Sequence, residues 1–198
     1  MKKEVSIDCI GYDVKADLYD GKGGKEVLLF LTGLNSSKKR YEELVKNLTE
    51  QTGMSALVLD YSGHGVSPFD IKHVSPAKNF FEVVAVFDWL VENYPKLNIS
   101  VVVTSYGGYL ATHLTVYRAF NKLLLRVLSI HILNEFYTKW EFATSSENRQ
   151  KYRRDFTDSH DYPLLTNRKK FNGSVFVVTH EFDKSSLKSK YHSLYSSF

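Results

Sequence analysis

The most constraining stretch of this sequence is residues 98–110, where a strand pattern passes into a helix pattern through Ser105. Residues 99–103 are mostly β-branched and apolar, as in a central strand that is buried on both faces. After Gly107 and Gly108, apolar side chains recur at helical spacing. So short a turn crowds the backbone, and the absence of a side chain at Gly107 relieves the collision. The pattern predicts that Ser105 stands exposed at the carboxyl end of a sheet, with the amino terminus of a helix behind it.

Residues 103–107, Val-Thr-Ser-Tyr-Gly, resemble the nucleophile elbow of the α/β-hydrolases, usually written G-x-S-x-G, with valine replacing the first glycine. The resemblance implies that Ser105 is a catalytic nucleophile. A strand, a Thr-Ser cap and an ordinary helix explain these five residues equally well. Other parts of the chain favour the elbow.

Residues 26–31 predict another buried strand, which ends in Thr32-Gly33-Leu34. In α/β-hydrolases this loop commonly begins His-Gly and supplies a backbone N–H to the oxyanion hole. The resemblance implies that the N–H groups of Leu34 and Tyr106 bind the oxyanion. A glycine turn followed by a serine cap on the next helix is an alternative that is compatible with this role.

Residues 56–59 predict a further strand, followed by residues 60–67, Asp-Tyr-Ser-Gly-His-Gly-Val-Ser. This loop resembles the Asp-x-x-Gly-x-Gly-x-Ser loop of the lipase, esterase and serine-aminopeptidase branches of the α/β-hydrolases. Its glycines permit tight turning, and we expect Asp60 to hold the loop through backbone N–H groups. We expect His64 to stabilise the same loop rather than to act as a base.

Strand and helix patterns alternate along the chain, which predicts an α/β fold with a mostly parallel central sheet and helices on both faces. We expect a single domain over residues 1–198, with a cap-like insertion over about residues 134–173 as the resemblance implies. The apolar spacing predicts Tyr41, Leu44 and Leu48 on the inner face of the first helix. The remaining predicted elements are antiparallel edge strands over 4–10 and 12–19, helices over 39–51 and 76–94, and strands over 126–133 and 174–178.

Residues 179–183, Thr-His-Glu-Phe-Asp, follow the last predicted strand and resemble the family's His-Gly and late aspartate. The resemblance implies that Asp183 orients the catalytic histidine, although capping of a helix that starts at Ser185 is an equally good interpretation. The family places its histidine after one further strand, so the fold is expected to be C-terminally abbreviated. Of the seven histidines, His180 is the preferred substitute base.

The composition excludes several classes of protein. A formal charge of +4 is spread along the chain with acidic residues interleaved, so it does not indicate nucleic-acid binding. A single cysteine, Cys9, excludes an internal disulfide and any cysteine-based metal site, and we expect neither a cofactor nor a metal. No leader and no segment of roughly 20 apolar residues is present, so a cytoplasmic location is expected.

Two functions remain. The first is a serine hydrolase of the esterase, thioesterase or acyltransferase type, acting through Ser105 on a small-molecule substrate that is an acyl ester or thioester. The second is a catalytically impaired hydrolase-fold protein that binds an apolar ligand or a protein partner. An absent last strand would leave an open sheet edge, which favours a homodimer.

Overall fold

A computed structural model describes residues 1–129, 131, 133–143, 145–155 and 171–178. The strands are β1 (Lys2–Asp8), β2 (Asp13–Tyr19), β3 (Glu26–Leu31), β4 (Ser55–Leu59), β5 (Asn98–Thr104), β6 (Lys122–Arg126) and β7 (Ser174–Val178). The α-helices are α1 (Glu42–Thr52), α2 (Pro76–Asn93), α3 (Tyr106–Tyr117) and α4 (Ser146–Asp155). Short 3-10 turns lie at Lys38–Tyr41, Ile71–His73, Leu133–Glu135 and Trp140–Phe142.

The described strands form one seven-stranded sheet in the order β1-β2-β4-β3-β5-β6-β7. β1 pairs antiparallel with β2, and β2 pairs antiparallel with β4. The strands from β4 to β7 pair in parallel. The predicted antiparallel edge and the predicted mostly parallel sheet are therefore confirmed.

The strand β3 shows why helices cover both faces of the sheet. Successive side chains of a strand point to opposite faces, and here both sets are apolar. Leu29 and Leu31 pack in the larger core with residues of α2 and α3, whereas Leu28 and Phe30 pack in a second cluster with Val45 of α1. This two-sided burial produces the expected layered α/β architecture.

The buried face of α1 differs from the prediction at one position, and the buried face of α2 includes two polar residues. Leu44 is 51% exposed, and Val45 is buried in its place. Tyr41 and Leu48 pack against the second cluster as predicted, so Leu44 alone departs from the predicted inner face of α1. In α2, Val91 is 47% exposed, whereas the polar Asn79 and Glu82 are fully buried.

The prediction of a strand over residues 126–133 is wrong. β6 comprises Lys122–Arg126, because these residues pair with β5 on one side and with β7 on the other. At Val127 the backbone enters the left-handed region with φ of 51°, which ends the extended conformation. His131 therefore lies beyond the strand, past its carboxyl end, rather than within it.

Part of the predicted cap over residues 134–173 lies outside the described residues, and the cap and the single domain stay predictions. The described residues 133–143 attach to the start of α2, because Ala77 N–H donates to Phe136 O at 2.8 Å and Trp140 N–H donates to Val74 O at 2.9 Å. None of the helices in the described part of the chain is long and apolar enough to cross a bilayer.

Candidate active site

Ser105 occupies the turn between β5 and α3 at the carboxyl edge of the sheet. Its backbone has φ of 50° and ψ of −112°, a conformation that non-glycine residues rarely adopt. The Ser105 N–H donates to Arg126 O at 3.1 Å, and its carbonyl accepts from the N–H groups of Gly108 at 2.9 Å and Ser129 at 3.2 Å. These contacts hold the strained turn, and they explain how a half-buried serine keeps this conformation.

Two glycines bring neighbouring backbone close to this serine. A Cβ atom at Gly107 would lie 2.2 Å from the carbonyl oxygen of Leu31, which no side chain tolerates. At Gly33 an added Cβ would lie 3.6 Å from the Cβ of Ser105, an ordinary van der Waals distance. The loop after β3 therefore passes directly beside the nucleophile candidate, as the elbow requires.

A cleft of about 350 Å³ opens at Ser105. Its lining comes from the loop after β3, the start of α1 and the ends of β5 and β6, namely Gly33, Leu34, Ser36, Arg40, Tyr41, Leu44, Thr104, Ser105 and Arg126. Leu34 thus lies in the same cleft as Ser105. Tyr106 is the first residue of α3, where backbone N–H groups have no acceptor within the helix.

Asp60 holds the glycine-rich loop that follows β4. Its two carboxylate oxygens accept from the N–H groups of Lys38 at 2.7 Å and Val66 at 3.1 Å. A Cβ at Gly65 would lie 2.1 Å from this carboxylate, so the loop needs glycine there. The predicted structural role of Asp60 is confirmed.

Lys38 ties this region to the antiparallel end of the sheet. Its Nζ contacts the carboxylates of Asp17 at 2.7 Å and Glu4 at 2.9 Å, and its N–H donates to Asp60. The side chains of Lys38 and Asp17 are both nearly buried. The strands β1 and β2 are therefore linked through one residue to the glycine-rich loop after β4.

Two histidines flank Tyr106, the residue after Ser105. The His64 ring stacks on the Tyr106 ring at 6.1 Å, and the His131 ring meets it edge-on at 5.4 Å. His64 Nδ1 lies 3.1 Å from Ser62 O, as expected of a loop-stabilising residue, and burial lowers its pKa. The sequence analysis placed His131 inside a strand over residues 126–133. Because β6 ends at Arg126, His131 lies past the carboxyl end of the strand, beside Tyr106.

A buried polar network lies below the same edge. The carboxylate of Glu82 accepts from the Tyr12 hydroxyl at 2.6 Å, from Ser62 N–H at 2.9 Å and from the Ser62 hydroxyl. Asn79 Nδ2 donates to Glu82 at 3.2 Å, and Asn79 Oδ1 accepts from the Tyr106 hydroxyl at 2.9 Å. The helical pattern of α2 did not reveal this network, because polar residues in a helix usually face water.

The predicted acid Asp183 and the predicted base His180 lie outside the described residues. Among the described residues, no group of three or more His, Cys, Asp or Glu side chains is arranged to hold a metal ion. The structure thus brings Ser105, Leu34 and Tyr106 together, and the assignment of their chemical roles stays a prediction.

The layered sheet, its strand order and the strained turn at Ser105 define an α/β-hydrolase fold. A family model described as serine aminopeptidase, S33, matches residues 23–145, which is more than half of the chain. The chain belongs to this family of α/β-hydrolases.

Three similar curated proteins are sn-1-specific diacylglycerol lipases ABHD11. The Danio rerio protein is 42% identical over 52 residues, which cover 26% of this chain and 16% of that protein. The Xenopus laevis protein is 32% identical over 120 residues, which cover 61% of this chain and 36% of that protein. The chain spans about a third or less of the length of the curated relatives it matches.

Solved structures share the fold at low sequence identity. An esterase from Pyrococcus furiosus superposes with a TM-score of 0.68 and 17% identity, covering 99% of this chain and 76% of that chain. An acylaminoacyl peptidase from Pyrococcus horikoshii superposes with a TM-score of 0.64 and 12% identity, covering 99% of this chain and 35% of that chain. These similarities support the fold alone.

Proposed function

We propose that this protein is a serine hydrolase that cleaves acyl esters or thioesters with Ser105 as its nucleophile. The observation that carries the proposal is the conformation of Ser105, whose φ of 50° lies at a strand-to-helix turn. Strain of this kind persists only where the surrounding structure holds it, and it concentrates at active sites. The description of the curated relatives as diacylglycerol lipases supports a lipid-like acyl ester as the substrate class.

In this mechanism the Ser105 hydroxyl attacks the acyl carbon and gives its proton to a base, proposed to be His180 oriented by Asp183. The N–H groups of Leu34 and Tyr106 stabilise the negative charge on the acyl oxygen. The alcohol or thiol leaves with a proton from the base, and water then hydrolyses the acyl-enzyme. Transfer of the acyl group to another acceptor would make the same site an acyltransferase.

A fluorophosphonate probe tests the nucleophile directly. The serine oxygen attacks phosphorus, fluoride leaves, and the adduct is detected by intact-protein mass spectrometry. We expect labelling of the wild type and complete loss of labelling in Ser105→Ala. Ser36→Ala is the matched control, because Ser36 lines the same cleft, and it should label like the wild type.

Absence of labelling in the wild type would contradict the proposal and would favour the binding function, in which the fold holds an apolar ligand or a partner without turnover. Labelling that survives in Ser105→Ala would show that another residue reacts. Hydrolysis of a diacylglycerol, compared with a short p-nitrophenyl ester, tests the substrate class separately.

A further inference from the structure

The side chain of Tyr106 is unusually well anchored for a residue next to a nucleophile. It is fully buried, and its ring is held between His64 at 6.1 Å, Trp140 at 5.7 Å and Tyr61 at 6.1 Å. Its hydroxyl donates to Asn79 Oδ1 at 2.9 Å. Both the ring and the polar end of this side chain are therefore fixed.

Asn79 is itself fixed by two acceptors. Its Nδ2 donates to Ser62 O at 3.1 Å and to the Glu82 carboxylate at 3.2 Å. Glu82 is fully buried and also accepts from Tyr12 and Ser62. Burying a carboxylate is costly unless donors surround it, so the network has one well-defined arrangement, and its end point is the Tyr106 hydroxyl.

The first turn of α3 is held by the hydrogen bonds of Gly108 and Ser129 to the Ser105 carbonyl, but it also contains unfavourable features. Two glycines follow Tyr106, and each glycine disfavours the helix by about 1 kcal/mol relative to alanine. Ser105, on the other side, is in a strained conformation. The peptide plane that carries the proposed oxyanion donor is thus held on one side through the Ser105 carbonyl and on the other side through the Tyr106 side chain.

We propose that Asn79 and Glu82 are positioning residues, which hold the Tyr106 backbone N–H toward the oxyanion by binding the Tyr106 hydroxyl. This inference rests on the proposed function. It predicts that loss of the hydroxyl weakens the transition state more than it weakens substrate binding. Removing an oxyanion donor lowers kcat by about 10²–10³-fold, and a donor that is only misdirected should lower kcat by about tenfold.

The test compares Tyr106→Phe with Tyr94→Phe. The first change keeps the buried ring and removes its hydrogen bond to Asn79. The second removes a tyrosine hydroxyl bonded to Asp20 at 3.1 Å near the opposite end of α2. With a p-nitrophenyl acyl ester, Tyr106→Phe should lower kcat about tenfold at unchanged KM, whereas Tyr94→Phe should change neither constant.

A trifluoromethyl ketone provides a readout that general destabilisation would not change. The Ser105 oxygen adds to the carbonyl carbon of the ketone and gives its proton to the proposed base. The carbonyl oxygen then becomes an oxyanion in the proposed hole. Its affinity should fall in Tyr106→Phe by the same factor as kcat/KM. Asn79→Leu should reproduce this loss, and the double variant should lose little more than either single variant, because both act through one chain of contacts.

The outcomes distinguish failure of the positioning role from failure of the hydrolase function. A wild type that the fluorophosphonate probe does not label overturns both the hydrolase function and the positioning role. A labelled wild type with Tyr106→Phe at the wild-type kcat and ketone affinity overturns the positioning role alone. A parallel loss of kcat and ketone affinity, at a melting temperature matched by Tyr94→Phe, supports it.

Discussion

The two edges of the sheet treat polar groups in opposite ways. At the amino edge, Glu26 binds Lys122 and accepts from the Ser100 hydroxyl at 2.9 Å, and the Lys122 side chain is 44% exposed. At the carboxyl edge, the carboxylate of Glu82 is fully buried, and the turn at Ser105 is strained. The first carboxylate is paired with a partly exposed cation, whereas the second is removed from water.

The difference indicates which end of the sheet contains the groups whose burial or strain costs free energy. A partly exposed ion pair contributes little to stability and tolerates change. A buried carboxylate and a left-handed serine each cost free energy, and they persist only when many contacts hold them. The carboxyl edge is therefore the part of the molecule organised for fixed geometry, which is what a proposed catalytic site requires.

The largest expected effect is at Gly107. Gly107→Ala would place a Cβ 2.2 Å from the Leu31 carbonyl oxygen, and a strand backbone in the centre of the sheet cannot move away without losing its pairing. We expect a loss of more than about 3 kcal/mol in the free energy of unfolding. Gly33→Ala is the control at the same edge, since its Cβ would make an ordinary contact. Urea denaturation measures both, and equal stabilities would contradict the close approach.

A second test replaces one carboxylate at each edge of the sheet and compares the two losses of stability. Glu82→Leu leaves Tyr12, Ser62 and Asn79 with buried donors and no carboxylate to bind. We expect a cost of about 3 kcal/mol. Glu26→Gln at the amino edge should cost less than about 1 kcal/mol, because Lys122 is well hydrated. Similar losses in urea denaturation would remove the contrast between the edges.

The third and smallest effect is a pH dependence that arises at His113. Burial lowers the pKa of this histidine from 6.5 to about 4. The unfolded chain therefore binds the proton first, so the stability due to neutral His113 is complete above pH 6.5 and is lost as the pH falls toward 4. Between pH 7.5 and 4.5 this amounts to about 2 kcal/mol.

His113→Phe removes this proton site and keeps an aromatic ring against Phe136, whose ring lies 4.3 Å away. The variant should lose less stability than the wild type over the same pH range, as measured by urea denaturation at each pH. The control is the same substitution at His73, because the His73 side chain is exposed. An identical pH profile in His113→Phe and the wild type would rule out this histidine as a source of acid sensitivity.

Much of the fold was predictable because the sequence is locally consistent. The runs 26–31 and 174–178 match β3 and β7 at both ends, since short, continuous and largely apolar runs are typical of strands. The structural role of Asp60 was predictable because its loop contains glycine, and at Gly65 a side chain would collide with the carboxylate. The position of Ser105 in a short turn was predictable because a strand pattern and a helix pattern meet there, with a glycine two residues later.

The remaining features depend on tertiary contacts. β6 was misplaced because residues 127–133, Val-Leu-Ser-Ile-His-Ile-Leu, are also mostly apolar, and only pairing with β5 and β7 identifies residues 122–126 as the strand. The roles of Asn79 and Glu82 depend on Ser62 and Tyr12, which are distant in sequence. No local pattern carries this information, so the apolar spacing of the helix did not indicate the roles of these two residues.

Lys38 gives the first twenty residues an importance that their position at the far end of the sheet conceals. One backbone amide and one ammonium group of a single residue join the β1–β2 hairpin to the carboxylate that shapes the glycine loop. A tag, fusion or deletion that disturbs the hairpin would therefore also disturb the glycine-rich loop after β4.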